Sequence, residues 1–137
     1  MNYWLVKSEP DAWSWQQQVA AGAKGEAWTG VRNHAAKLNL MRMKKGDQAF
    51  YYHSNEGKEI VGIVEVVREH YPDPTDKTGK FVCVDVRALK ALPKLVTLAT
   101  LKADPRFAEM ALIKLSRLSV QPVTAAEWKA ICKMAGL

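Results

Sequence analysis

Six consecutive residues carry the chemistry most worth weighing: Trp28-Thr29-Gly30-Val31-Arg32-Asn33. They place a large flat aromatic, a glycine turn, a guanidinium and a side-chain amide side by side. A stacking surface, a planar cation and a group that both donates and accepts hydrogen bonds are what a pocket needs to hold a nucleobase outside its stack. The run is short, broken by glycine and ends in polar residues, so it does not read as a core strand. The alternative is structural, with Trp28 a core anchor and Asn33 the first residue of a helix. Stacking of one base on an aromatic is worth about 1–3 kcal/mol, which offsets much of the few kcal/mol needed to unstack it.

Other groups could complete such a site. Trp28 is the leading stacking residue, with Tyr52 and Trp4 as further aromatics on strand-like runs. Asn33 suits the edge of a pyrimidine or of adenine, because its amide offers a donor and an acceptor. Ser8 adds a hydroxyl at the end of a strand. Arg32, Lys7 and Arg117, with Lys37 nearby, are expected to contact phosphate, which positions a strand without reading its sequence.

An enzymatic reading competes. His34, His53 and His70 are potential general bases, and Lys7-Ser8-Glu9 offers an amine, a hydroxyl and a carboxylate in succession. Adjacent strand residues point to opposite faces, so Lys7 and Ser8 would act together only if the strand bent before Pro10. The histidines and cysteines show no HxH, HExxH or CxxC spacing, so no metal is expected. No cofactor is called for.

These residues must be positioned by one domain, since 137 residues suffice for one core and not for two ordinary ones. An apolar fraction of 48% and a charged fraction of 25% are those of a globular chain. No stretch approaches the roughly 20 apolar residues of a membrane span, and the start lacks the pattern of a signal peptide. Cys83 and Cys132 read as reduced, mostly buried thiols of a cytoplasmic protein. Twenty basic against 14 acidic residues give a net charge of +6, which suits a polyanionic partner. The excess is uneven, +1 over residues 1–70 and +5 over residues 71–137.

Periodicity supplies the elements. Tyr3 to Lys7 reads as a strand ending before Pro10. A helix capped by Asp11 should follow, with Trp13, Gln17 and Ala20 on one side. Val31 to Met43 has the stripe of an amphipathic helix. Strands are expected at Gln48–His53, Ile60–Val67 and Phe81–Val86, with an irregular loop at Pro72–Asp76. Asp104-Pro105 should start a helix. Leu118–Val120 reads as a short strand, and Thr124 with Glu127 forms a capping box for a terminal helix carrying Trp128 and Ile131. The class is α+β with a mostly antiparallel, closed or half-closed sheet.

The order of motifs adds a resemblance. Tyr3-Trp4-Leu5-Val6-Lys7-Ser8-Glu9-Pro10 is followed by Trp28–Asn33, by Gly46-Asp47 leading into Phe50-Tyr51-Tyr52-His53-Ser54, by Gly62–Val66, by Val84-Asp85-Val86 and by Arg117–Val123. Together they span the chain and resemble the EVE domain family of the PUA-like superfamily, to which the YTH readers of methylated adenine in RNA are related. The resemblance implies a PUA-like β-barrel flanked by helices. It implies a pocket for a single, modified base, in which Trp28, Asn33 and Ser8 fall on matched motifs. Tyr52, His53 and Ser54 also fall on one, with the residue facing the pocket left open. The expected partner is DNA or RNA carrying the modified base, bound by a monomer. In a bacterial chain modified cytosine in DNA is the leading ligand, with methylated adenine in RNA the second. The related ASCH group contains amidohydrolases acting on modified nucleosides with a lysine, a hydroxyl residue and a glutamate, which is the runner-up reading.

Overall fold

The computed structural model describes Met1–Leu137. Its frame is one six-stranded sheet. Strand β1 (Tyr3–Ser8) lies parallel to β3 (Gln48–His53), which is antiparallel to β4 (Glu59–Pro72). β4 pairs antiparallel with β5 (Val82–Thr97), and β5 with the two-residue β2 (Glu26–Ala27). On the other side β6 (Val120–Val123) runs antiparallel to β1, giving the order β2-β5-β4-β3-β1-β6.

The strands alternate between two cores, as a period of two requires. Trp4, Val6, Tyr51, Val64, Val84 and Val86 face one core, covered by α1 (Trp15–Ala20) and α2 (His34–Arg42). Leu5, Phe50, Tyr52, Ile63 and Leu92 face the other, covered by α3 (Leu98–Ala103), α4 (Ala111–Lys114) and α5 (Ala125–Met134). Strand β4 meets α1 at Gly62, where any Cβ would lie 2.4 Å from the Trp15 ring. A side chain there would push the helix off the sheet.

The α+β class and the mostly antiparallel sheet are as expected, but the sheet is open, not a closed barrel. Its terminal strands, two and four residues long, do not pair with each other. Repeated register shifts between β4 and β5 bend the long hairpin without closing it.

Several boundaries also differ. Asp11 does not cap the first helix. Ser14 does, in a capping box with Gln17, and residues 10–13 form a turn closed by the Ala12 and Trp13 amides on the Glu9 carbonyl. The second helix starts at His34 rather than Val31, with Asn33 as its cap. Strand β5 continues eleven residues past Val86 to Thr97, because Arg87–Ala91 and then Val96 and Thr97 pair with β4 and so adopt a conformation their own composition does not announce. Asp104-Pro105 opens a single 3₁₀ turn, and the helix before it, α3, was not expected. The terminal helix and its Thr124–Glu127 box stand where the periodicity puts them.

Candidate nucleic-acid interface

A cleft of about 870 Å³ opens between the turn at residues 8–13 and the segment 26–33, with Pro74 and Thr75 beside the latter. Trp28 lines it. The Trp28 amide donates to the Val84 carbonyl at 2.7 Å, which extends the β2–β5 ladder and fixes the residue's depth. The residue is 8% exposed and packs into the core beneath α1 and α2, where its aromatic neighbour is Tyr51, edge-on at 5.5 Å and 86°. No aromatic side chain lies parallel to it.

The first lip is held by neutral hydrogen bonds. Ser8 Oγ donates to the Trp13 carbonyl at 2.8 Å, and the Tyr51 hydroxyl donates to the same oxygen. The Trp13 indole donates to Gln18 Oε1 at 2.9 Å, and the wholly buried Gln18 returns an amide proton to the Val86 carbonyl at 3.1 Å. Burial pushes the Tyr51 hydroxyl up to about 12, against a smaller lowering by Ser8, so it stays a donor at neutral pH.

The second lip is tied by charge. Asp73, buried at the end of β4, accepts from the Gly30 amide at 2.9 Å, from Arg32 Nη1 at 3.1 Å and from the amide and hydroxyl of Thr75 at 2.7 and 2.6 Å. Arg32 Nη2 completes the loop on Thr75 Oγ1 at 2.9 Å. Burial alone would raise the Asp73 carboxyl, but the bonds from Thr75, Gly30 and Arg32 outweigh it and hold the group below its usual range. Gly30 sits at φ +86°, a conformation that lets its amide face the carboxylate.

The structure sorts the predicted residues. Trp28, Asn33, Ser8, Lys7 and Arg32 all border the cleft. Asn33 does so in a narrower role than expected: its Oδ1 accepts from the Ala36 amide at 2.9 Å as the cap of α2, which leaves the two Nδ2 protons as the part of the amide without a partner in the protein. Arg32 remains 41% exposed on its side chain, but its charge already faces Asp73.

Trp4 is not a pocket residue. It is 4% exposed, and its indole donates to Asp47 Oδ2 at 3.1 Å. Tyr52 is excluded by strand alternation, since it faces the opposite core, and the ring that reaches the cleft side is its neighbour Tyr51. His53 lies outside the cleft and accepts the Trp15 amide on Nε2 at 3.1 Å. Burial lowers its pKa against an upward pull from Glu59, which keeps that nitrogen free to accept.

Lys7 is also redirected. Its ammonium donates to the Ser116 carbonyl at 2.7 Å and lies 5.9 Å from the Tyr52 ring, and burial lowers its pKa. Glu9 Oε1 accepts from Asn55 Nδ2 at 3.0 Å. Lys7, Ser8 and Glu9 therefore turn to three different partners and form no common centre. Arg117 stands apart from the cleft in an adjoining groove of about 400 Å³, which shares Asn33 with it and also holds Lys114 and Leu115. Arg117 is exposed and makes no side-chain hydrogen bond or ion pair. Lys37 lies near the Phe81 ring, 6.0 Å from its centre.

Asp73, Tyr51, Trp13, Thr75 and Glu26 were not anticipated at or behind the cleft. An aspartate followed two residues later by threonine is the signature of a side chain that closes its own turn, and Asp73 carried that signal. Trp13 and Tyr51 carried none beyond being aromatic.

With this geometry in view, comparison with known proteins assigns the class. The EVE domain family model matches residues 2–134, and the chain belongs to that family. A protein of Rhodopseudomonas palustris is 71% identical, with 99% of this chain and 94% of that chain covered and a TM-score of 0.94. Human thymocyte nuclear protein 1, solved in complex with DNA containing 5-methylcytosine, is 30% identical over 100% of this chain and 99% of that chain, with a TM-score of 0.91. A YTH domain from Zygosaccharomyces rouxii, in complex with N6-methyladenosine RNA, shares the fold at 19% identity, with 98% and 86% covered and a TM-score of 0.59.

Proposed function

We propose that this chain binds nucleic acid and holds one flipped, modified base in the cleft, with modified cytosine in DNA the leading ligand. The observation that carries the reading is Trp28, a tryptophan at a cleft with no ring stacked on it. The cleft volume falls within the range of small-ligand pockets. The human relative in complex with 5-methylcytosine DNA aligns over the whole of this chain, which favours that base over others. In this reading Trp28 stacks on the base, the Asn33 amide donates to an edge acceptor, and Ser8 sets the first lip through its bond to Trp13. Arg117 and Lys37 meet phosphate. The chain acts as a binding module, since Lys7, Ser8 and Glu9 have separate partners.

The test is a fluorescence-anisotropy titration at fixed physiological salt. Matched DNA and RNA oligonucleotides would carry cytosine, 5-methylcytosine, 5-hydroxymethylcytosine, adenine or N6-methyladenine. A clear preference for 5-methylcytosine DNA is expected. Equal, weak binding throughout would overturn the reading, and product released from a modified nucleoside would replace it with the amidohydrolase.

A further inference from the structure

Among the residues lining the cleft there is one carboxylate, Glu26. It is exposed, belongs to no ion pair, and has one hydrogen bond in which it accepts, from the adjacent Ala27 amide to Oε1 at 3.1 Å. Glu26 pairs with Val86 on β5, Ala27 with Asp85, and the Trp28 amide continues the ladder to Val84. Positions i and i+2 of a strand share a face, so Glu26 stands one step outward from Trp28 on the same side. A free carboxylate at the mouth of a site for a polyanion opposes binding unless it meets a hydrogen-bond donor. In DNA neither the phosphate nor an internal deoxyribose has one at neutral pH, which leaves the base as the donor.

We infer that Glu26 accepts a hydrogen bond from the exocyclic amine of the bound base and so makes the site selective for an amino base over thymine. The inference rests on the base-binding reading above and deepens it. On the pairing edge of 5-methylcytosine the 4-amino group is the sole donor, while N3 and O2 are acceptors. The cleft offers the complement: an acceptor in Glu26, and in Asn33 an amide whose oxygen accepts from Ala36 and whose protons, without a partner in the protein, are available to N3 or O2. Thymine has the same ring size and the same 5-methyl group. In the same position it would set O4 against the carboxylate and N3–H against the Asn33 amide. Shape and stacking cannot make that distinction, and a 5-methyl reader in DNA meets thymine at every turn.

Two substitutions test this, Glu26→Gln and Glu26→Ala, in the full chain. Each is titrated by anisotropy against three duplexes differing at one site, where cytosine, 5-methylcytosine or thymine stands opposite an abasic position, so that no base has pairing to lose. The wild-type protein should prefer 5-methylcytosine to thymine by at least about tenfold. Glu26→Gln, whose amide turns to donate to O4, should reduce that ratio at least about fivefold while 5-methylcytosine is still preferred to cytosine. Glu26→Ala should also reduce it, with thermal unfolding of both variants close to wild type, since the one bond lost is to a neighbouring amide. A 5-methylcytosine-to-thymine ratio unchanged in both variants, with the preference over cytosine intact, overturns the role of Glu26 and leaves the base-binding reading standing. A uniform gain for all three duplexes reduces Glu26 to bulk charge and overturns it as well. Wild-type protein that does not distinguish 5-methylcytosine from cytosine removes both readings together.

Discussion

Trp28 and Trp128 are equally hidden from solvent, at 8% and 6% exposure, yet they serve opposite ends. Trp128 on α5 is sandwiched: Tyr3 stacks on it at 4.4 Å and 17°, and Phe50 at 3.9 Å and 19°. Trp28 also belongs to a buried core, but its one aromatic partner is Tyr51, met edge-on, and a cleft lies beside it. Burial alone does not separate these two tryptophans. What separates them is that other rings stack on one and not on the other.

Substitution of each tryptophan should break this contrast if it is wrong. Trp128→Ala removes the centre of a three-ring stack, and should cost about 3–5 kcal/mol. Its thermal midpoint should fall by roughly 10 °C or more. Trp28→Ala should be milder in stability, but it should remove the preference for the modified base, a loss of about 1–3 kcal/mol in selective binding. Salt-sensitive binding to unmodified DNA should survive it. If Trp28→Ala destabilises as much as Trp128→Ala and leaves base preference intact, Trp28 is a core residue and not a base platform.

The two lips of the cleft offer a second, subtler contrast. The bonds that join Ser8, Trp13, Tyr51 and Gln18 in the first lip are between neutral groups, with Tyr51 pushed up to about 12. The second depends on Asp73, whose carboxyl is held below its usual range. A depressed carboxyl contributes stability that is fully present above its unfolded value near 4 and is lost as pH falls through the folded value. Asp73→Asn should therefore destabilise by about 1–3 kcal/mol near pH 7 and flatten the acid limb of stability below about pH 4. Urea unfolding across pH 3 to 7 reads both. The step of His53 is a separate marker: its lowered pKa gives stability present above about 6.5 and lost as pH falls below it. Asp73→Asn should leave that step unmoved, and a variant that shifts both would show that Asp73 is coupled to the surroundings of His53.

What could be read from the chain beforehand follows the range of the interaction. The Thr124–Glu127 box is local and stands where the residues themselves place it, and the Trp28–Asn33 run, equally local, borders the cleft with Asn33 as a helix cap. The Trp4 indole is turned to Asp47, a partner 43 residues away that no local window contains. The Asp73 clamp reaches back to Gly30 and Arg32 over comparable distances, so the loop 72–76 read as irregular and nothing more. Phe50-Tyr51-Tyr52 is apolar on both faces, and a strand with two buried faces gives no alternation from which to pick its cleft-side ring. Arg87–Ala91 is strand through β4, a partner that no window within β5 contains.

The smallest effect tests the same principle on cations: a charge acts on a ligand when its own bonding is not already filled. Lys7 and Arg117 belong to the same neighbourhood, since the Lys7 ammonium donates to the carbonyl of Ser116, the residue before Arg117. That bond, and the burial that lowers its pKa, commit Lys7 to the protein. Arg117, exposed and unpaired in the groove that adjoins the cleft at Asn33, is free to meet phosphate. Arg117→Ala should weaken binding to modified and unmodified DNA alike and reduce the slope of log K against log salt by about 1. Lys7→Ala should leave that slope nearly unchanged and act through the 116–118 loop instead. A base-selective loss in Arg117→Ala would place its guanidinium on the base, and an equal slope change in both variants would show that partner occupancy does not decide which cation binds.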